Sequence, residues 1–395
     1  MRASASSMTP IPVTAYTLTS ALGSGLDAVD AALQDGCGGL SPQPWQDCDV
    51  PTWLGRVDIP DDVQTEPAWA CRNNRLALLG LNQDGFADHV STAIDRYGAH
   101  RVGVVIGTST SSIERTEAAY RELDDSGRFA PEFRQPDTHN PHSPGAFVAR
   151  ALGAAGPALT VSAACASSAK VFATAARWLE LNLVDAVVVG GVDSLCLSVI
   201  YGFHSLQLVA PSPCRPFDRD REGISLGEAA GFALLDRADP GNAEAALLGY
   251  GESCDAHHMS SAHPEGLGAR LAMESAVAAS GLSFADLDYV NLHGTGTRGN
   301  DATEGQVCAQ LLAAHTVASA TKGWTGHTLG AAGIVEAVLC LHALTSGVVP
   351  GTLNTRDPQA DFNLTLETAA RRPRRALSNS FGFGGNNCAL VFGLS

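Results

Sequence analysis

The chain reads as an α/β protein made of two similar halves, and three features say so. Apolar strand-length runs alternate with Ala-rich helical stretches along its 395 residues. In both halves a polar, reactive group stands where such a strand gives way to a small-residue helix, which points to an internal duplication. Charged residues make up only 17% of the chain, against 41 glycines. That composition suits closely packed layers and a large subunit interface, and not a disordered chain.

Residues 11–22 are β-rich and end in Gly-containing loops, and 26–33 follow as a short amphipathic helix. Residues 75–97, with Leu76, Leu79 and Leu81 among the apolar positions, are expected to be helical. The run Arg-Val-Gly-Val-Val-Ile-Gly at 101–107 is a buried strand entering a Ser/Thr loop, and 113–123 is a charged surface helix. A strand at 158–163 leads into an Ala-rich helix at 167–181, and 186–190 is a third apolar run closing on Gly-Gly. Such near-continuous apolar strands belong to parallel or mixed sheets covered by helices. The second half repeats the pattern: strand 287–292 ending at His293, helix 303–314, strand 317–320, Ala-rich helix 328–345 and a terminal strand 389–392. The halves are taken as residues 1–240 and 241–395, since only a Pro/Gly/Asn-containing turn at 237–244 separates them.

Several partners are excluded by the bulk chemistry. A net charge of −16 repels nucleic acid and anionic membrane surfaces. No run of about 18 uninterrupted apolar residues is present, so no membrane span is expected. The first residues lack the apolar core of a signal peptide. The ten cysteines are scattered singly with no CxxC pair, which suits reduced thiols in a cytoplasmic protein.

Three motifs mislead. Gly294-Thr-Gly-Thr-Arg-Gly fits a dinucleotide-binding pattern, but no acidic residue ends a strand about 20 residues on to hold a ribose. Gly223-Ile-Ser-Leu-Gly fits a nucleophile elbow, but the preceding Asp218-Arg-Asp-Arg-Glu is no apolar strand. Cys254, His257, His258 and His263 match no common zinc spacing, so no metal is expected.

The remaining motifs carry chemistry. Cys165 lies in Thr-Val-Ser-Ala-Ala-Cys-Ala-Ser-Ser-Ala-Lys, with a strand pointing in and a helix leaving. A thiol at a helix N-terminus feels unpaired N–H groups and the positive end of the dipole, which favour the nucleophilic thiolate. A buried structural cysteine is the alternative that local context leaves open. His293 opens His-Gly-Thr-Gly-Thr at a strand end, and His327 sits in Lys-Gly-Trp-Thr-Gly-His-Thr-Leu-Gly-Ala-Ala-Gly at the start of a helix. Their glycine neighbours let a substrate approach the backbone closely. Asn379-Ser-Phe-Gly-Phe-Gly-Gly-Asn-Asn adds a further glycine-lined turn before the last strand.

The ordered set Cys165, His293, Lys322 and His327, each in its own motif, resembles the elongating beta-ketoacyl-acyl carrier protein synthases of the thiolase superfamily. The resemblance runs from Leu22-Gly-Ser-Gly through Pro216-Phe-Asp, Gly227-Glu-Ala-Ala-Gly and Asp255-Ala-His-His-Met to the Asn379 turn. It implies a duplicated thiolase-like fold in alpha-beta-alpha-beta-alpha layers. It implies that Cys165 carries the acyl chain as a thioester while His293 and His327 stabilise the enolate left by decarboxylation of a malonyl thioester. The N–H groups of Cys165 and Phe383 are then the oxyanion hole, with Phe383 also gating the acyl chain. Thr295 and Thr297 contact the phosphopantetheine arm, which the acyl carrier protein brings, so no bound cofactor is expected. Lys322, Asp301 and Glu304 form a charged support behind the imidazoles. Ala166 stands where many members have Ser. The expected assembly is a homodimer, or a heterodimer with a related subunit. Three readings follow: an active synthase of fatty acid, polyketide or polyene biosynthesis; the ketosynthase subunit of a heterodimeric type II polyketide or aryl polyene synthase; and a non-catalytic scaffold binding acyl carrier protein. The Ser/Thr-rich 107–112 loop favours secondary metabolism. The basic run at 371–375 is a candidate docking patch for an acidic carrier.

Overall fold

The computed structural model describes residues 7–131, 133, 137–237 and 243–395. Its main sheet has eleven strands. From one edge to the other, ten of them run Val317–Ala320, Tyr289–Leu292, Arg375–Gly382, Asn386–Leu394, Ala245–Cys254, Ile11–Ser20, Ala229–Asp236, Ala186–Asp193, Val102–Gly107 and Ala158–Val161. Cut between Ile11–Ser20 and Ala245–Cys254, the sheet yields two five-stranded halves of one topology. In each half the second strand in chain order lies parallel to the third and fourth, the fourth is antiparallel to the fifth, and the fifth is antiparallel to the first. The duplication suspected from the sequence is therefore a duplication of strand order. The halves join through a short antiparallel register, Ile11 with Leu247 and Val13 with Ala245. The expected boundary at 240/241 falls outside the described residues.

Helices complete five layers. Ser167–Glu180 and Ala332–Ser346 fill the middle, packed on each other and on both half-sheets. Helices Arg72–Leu81, Phe86–Tyr97 and Ser143–Leu152 cover the first half-sheet with a core that includes Leu76, Phe86, Phe147 and Phe232. Helix Leu267–Ala279 covers the second, with Met273, Leu292, Val307 and Val391 in its core. Glycines let the central helices sit against the strands: a Cβ on Gly107 would stand 2.4 Å from the Ser168 nitrogen, and one on Gly333 2.5 Å from the Ala169 nitrogen. The stretch Leu329–Ser346 is long and apolar enough to cross a membrane by composition alone, but 89% of it is buried within the protein.

Two expected elements differ. Residues 75–97 are not one helix, because Asp84 (φ 53°) and Gly85 (φ 65°) take left-handed backbone and break it between Leu81 and Phe86. The helix expected at 303–314 begins earlier, at Arg298, where the Thr297 side chain accepts a hydrogen bond from Asn300 N as its cap.

Candidate active site

The motifs converge because both half-sheets present the C-terminal ends of their strands to one seam, where α/β sheets bind ligands. Cys165 follows Ala158–Val161 through a strained turn: Ala164 has φ 49°, and the Ser167 hydroxyl both accepts from Ala163 N (2.8 Å) and donates to the Ala164 carbonyl (2.5 Å). Strain of this kind, about 1–3 kcal/mol per residue, persists where the surroundings over-determine it. The counterpart turn in the second half follows Val317–Ala320 and carries Lys322 and His327. Tyr289–Leu292 delivers His293, and Arg375–Gly382 delivers Phe383.

A cavity of about 550 Å³ is lined by Cys165, His293, His327, Thr295, Thr297 and Phe383 together. The imidazole rings of His293 and His327 are 5.5 Å apart and nearly perpendicular at 87°. Both titrate well below the usual histidine range, first because burial disfavours the cation and then because Lys322 repels it. They are neutral, and their partners fix the tautomers. His293 Nδ1 lies 3.3 Å from the Lys322 ammonium, which can only donate. His327 Nδ1 accepts from Leu329 N at 3.1 Å. In each ring Nε2 is left holding the proton. Phe383 N–H faces the Cys165 sulfur, and a Cβ on Gly382 would lie 3.1 Å from Cys165 N, so this turn must pass close to Cys165. Thr295 and Thr297 hydroxyls are 2.8 Å apart on the cavity wall.

Two expectations change. The helix N-terminus does not make Cys165 a standing thiolate: burial pushes its thiol up to about 11, against the pull of Lys322 and the Phe383 N–H. Nor do Asp301 and Glu304 pair with Lys322. The carboxylate partner of Lys322 is Glu336, buried beside it on the central helix and bonded also to the Ser380 hydroxyl at 3.3 Å. Burial raises the Glu336 carboxyl to about 7. Glu304 instead accepts the backbone N–H groups of His293 and Gly294, both at 2.8 Å, and Asn379 Nδ2 at 3.2 Å. Asp301 accepts Phe217 N at 2.7 Å and Gly296 N at 3.2 Å, with Arg221 at 3.7 Å. These two carboxylates shape the His293–Thr297 turn from behind.

The sequence reading missed Glu336 and Phe203. A lone acid inside the apolar 332–344 run is a signal for a paired buried charge and could have flagged Glu336. Phe203, whose ring stacks 5.6 Å from Phe383 and 6.5 Å from His327, had no signal beyond hydrophobicity. Among the described residues no cluster of three or more metal-type side chains forms, and His257 and His263 meet as rings 5.2 Å apart on the entrance loop. None of Arg371, Arg372, Arg374 and Arg375 lines the cavity. Arg375 opens the strand whose far end, Gly382, reaches Cys165, a span of about 23 Å at about 3.3 Å per residue. The basic run thus lies at the opposite end of that strand from Cys165.

A cysteine thiol and two imidazoles lining one cavity at the seam of a duplicated five-layer α/β fold place the chain among the thiolase-like proteins. The N-terminal domain profile of beta-ketoacyl synthases matches residues 82–240, and the C-terminal domain profile matches 244–356. Nodulation protein E of Rhizobium sp. (strain N33) is 35% identical over 75% of this chain and 77% of its own length. The 3-oxoacyl-[acyl-carrier-protein] synthase 2 of Mycobacterium tuberculosis (strain ATCC 25618 / H37Rv) is 32% identical over 81% of this chain and 84% of its own. A ketosynthase solved in complex with its chain length factor from Xenorhabdus doucetiae superposes with a TM-score of 0.88 at 37% identity, covering 98% of both chains. The chain belongs to the beta-ketoacyl synthase family.

Proposed function

We propose that the chain condenses an acyl thioester held on Cys165 with malonyl-acyl carrier protein, releasing carbon dioxide. The reading is carried by one observation: Cys165, His293 and His327 line a single cavity, with a backbone N–H aimed at the sulfur. In the first half-reaction Cys165 Sγ attacks the acyl carbonyl, its proton leaves with the carrier thiol, and the N–H groups of Cys165 and Phe383 hold the oxyanion. In the second, the malonyl thioester loses its carboxylate as carbon dioxide. The Nε2–H donors of His293 and His327 meet the negative charge that builds on the thioester oxygen, and neutral fixed donors do this with little reorganisation. The resulting carbanion attacks the acyl-Cys165 carbonyl, and the thiolate leaves to give a β-ketoacyl carrier. Lys322 holds His293, with Glu336 balancing its charge. Asp301 and Glu304 set the turn, Thr295 and Thr297 contact the pantetheine arm, and Phe383 gates the acyl chain. Residues 1–240 supply the nucleophile and 241–395 the imidazoles, in a cytoplasmic enzyme with no bound cofactor.

The Cys165→Ala variant is expected to form no acyl-enzyme and to extend no chain. Intact-mass spectra that show acylation elsewhere in that variant would refute the assignment. A second reading, a ketosynthase subunit that works with a related partner, is favoured by the Xenorhabdus doucetiae relative, which was solved with its chain length factor. Condensation by the purified chain alone would count against an obligate partner. A scaffold without catalysis is disfavoured by the complete donor set, and would gain only if iodoacetamide failed to label Cys165 in the folded protein.

A further inference from the structure

Asp193 lies outside the catalytic set and does not line the cavity, yet it is fully buried at the end of the strand Ala186–Asp193. Its carboxylate only accepts. Oδ1 receives Thr108 Oγ1 (2.5 Å), Thr110 N (2.8 Å), Thr110 Oγ1 (2.7 Å) and Ser109 N (3.0 Å). Oδ2 receives Ser109 N (2.8 Å) and Gly330 N (2.6 Å). These donors come from two loops that belong to different halves of the fold.

Each loop ends on a strained turn of the active site. Ser109, fixed through its N–H, sends its hydroxyl to the Ala164 carbonyl at 3.3 Å, and Ala164 is the left-handed residue before Cys165. Gly330 closes the turn that begins at His327, where Leu329 also takes a left-handed backbone (φ 57°) and donates to His327 Nδ1. The approach leaves no room for a side chain: a Cβ on Gly330 would stand 2.6 Å from Ser109 N and 2.7 Å from Asp193 Oδ2. Thr108 N also donates to Val161 O at 3.1 Å, on the strand that leads to Cys165.

The geometry points to Asp193 as a positioning residue that locks the Cys165 turn of one half to the His327 turn of the other. Two backbone conformations that L residues rarely adopt need surroundings that over-determine them, and one carboxylate supplies part of that constraint to both. The donors require a full carboxylate, because an amide in its place would turn an N–H towards an N–H. Burial raises the Asp193 carboxyl, the hydrogen bonds from Thr108, Ser109 and Thr110 pull it back, and no cationic side chain pairs with it among the described residues; its charge bears on the nearby thiol. Cys165 faces that anion together with Glu336, Lys322, the Phe383 N–H and the neutral rings of His293 and His327. Like charges disfavour the thiolate.

This inference rests on the condensing-enzyme reading for its consequence in catalysis, but alkylation tests it without any turnover. In the Asp193→Asn variant the pH midpoint for iodoacetamide labelling of Cys165 is expected to move to lower pH, since a buried negative charge has gone. Malonyl-thioester decarboxylation is expected to fall about 10-fold or more, because small misplacements of a donor have large kinetic effects. A folded variant with the native labelling midpoint overturns the inference. A shifted midpoint in a protein whose native form never decarboxylates malonyl thioesters supports the positioning role and refutes the condensing reading. If Asp193→Asn does not fold, Ser109→Ala and Thr108→Val decide. Slower labelling of Cys165 in these variants upholds the lock, and native labelling rates in both overturn it.

Discussion

Burial and the Lys322 charge both disfavour the cations of His293 and His327, so in the proposed reaction they serve as neutral donors. A depressed pKa means that protonation waits for lower pH. The decarboxylation rate is therefore expected to show no step at about pH 6.5, where an ordinary histidine titrates. A profile that falls by half there would contradict the neutral-donor assignment. Conversely, labelling of Cys165 is expected to go on rising with pH past about 8.5, the usual cysteine value, since burial holds the thiol up to about 11. His327→Ala is expected to lower decarboxylation by about 100- to 1000-fold, the usual effect of losing one preorganised donor. Lys322→Ala leaves Glu336 buried without its counter-ion, and denaturant titration is expected to show a loss of about 3–5 kcal/mol. Cysteine and both histidines were legible in the sequence because each sits in a motif of small residues where a strand or loop gives way to a helix or turn: Ala and Ser around Cys165, Gly around His293 and His327. Asp193 and Phe203 were harder to see, because their partners lie on other elements and nothing local marks them, whereas Glu336 carried a signal, a lone acid in an apolar run, that went unread.

The elements owe their positions to small residues where layers meet. Gly107, Gly191 and Gly333 all lie within contact of the helix Ser167–Glu180, and their added Cβ atoms would press on Ser168 or Ala169 at 2.4–2.5 Å. Gly107→Ala sets a methyl against helix backbone, which cannot move aside like a flexible side chain. It is expected to destabilise by about 1–3 kcal/mol, as overpacking does, with a lower Tm in a thermal scan. Low charge and abundant glycine in the sequence already imply such close layers. Apolar runs located seven of the ten strands along the main sheet, because a continuous apolar run needs cover on both faces, but the strands Ala229–Asp236, Ala245–Cys254 and Arg375–Gly382 and the helices Ser143–Leu152 and Leu267–Ala279 went unread. The break at Asp84–Gly85 escaped because the apolar spacing continues across it, and the early start at Arg298 escaped because the capping Thr297 lies inside a motif read for its chemistry.

In the molecule as a whole, the two sheet edges differ. Val317–Ala320 is capped by the 363–365 segment, through Ala318 N to Asn363 O and Thr365 N to Ala318 O. Ala158–Val161 pairs with Val102–Gly107 alone among the described residues, and Leu159 beside the free edge is 37% exposed. An open edge is a template for another chain. Sedimentation is expected to find the protein paired, with itself or with a related subunit, and Leu159→Lys to weaken that pairing. A stable native monomer would contradict it. The shared cavity can be tested by turnover with malonyl carrier protein labelled at its free carboxyl, offered to enzyme already acylated on Cys165. The label should leave as carbon dioxide while a β-ketoacyl carrier two carbons longer than the starter appears, in equal amounts. Release of the starter acyl group to water, with the malonyl label retained, would show that Cys165, His293 and His327 do not work on one bond-forming event.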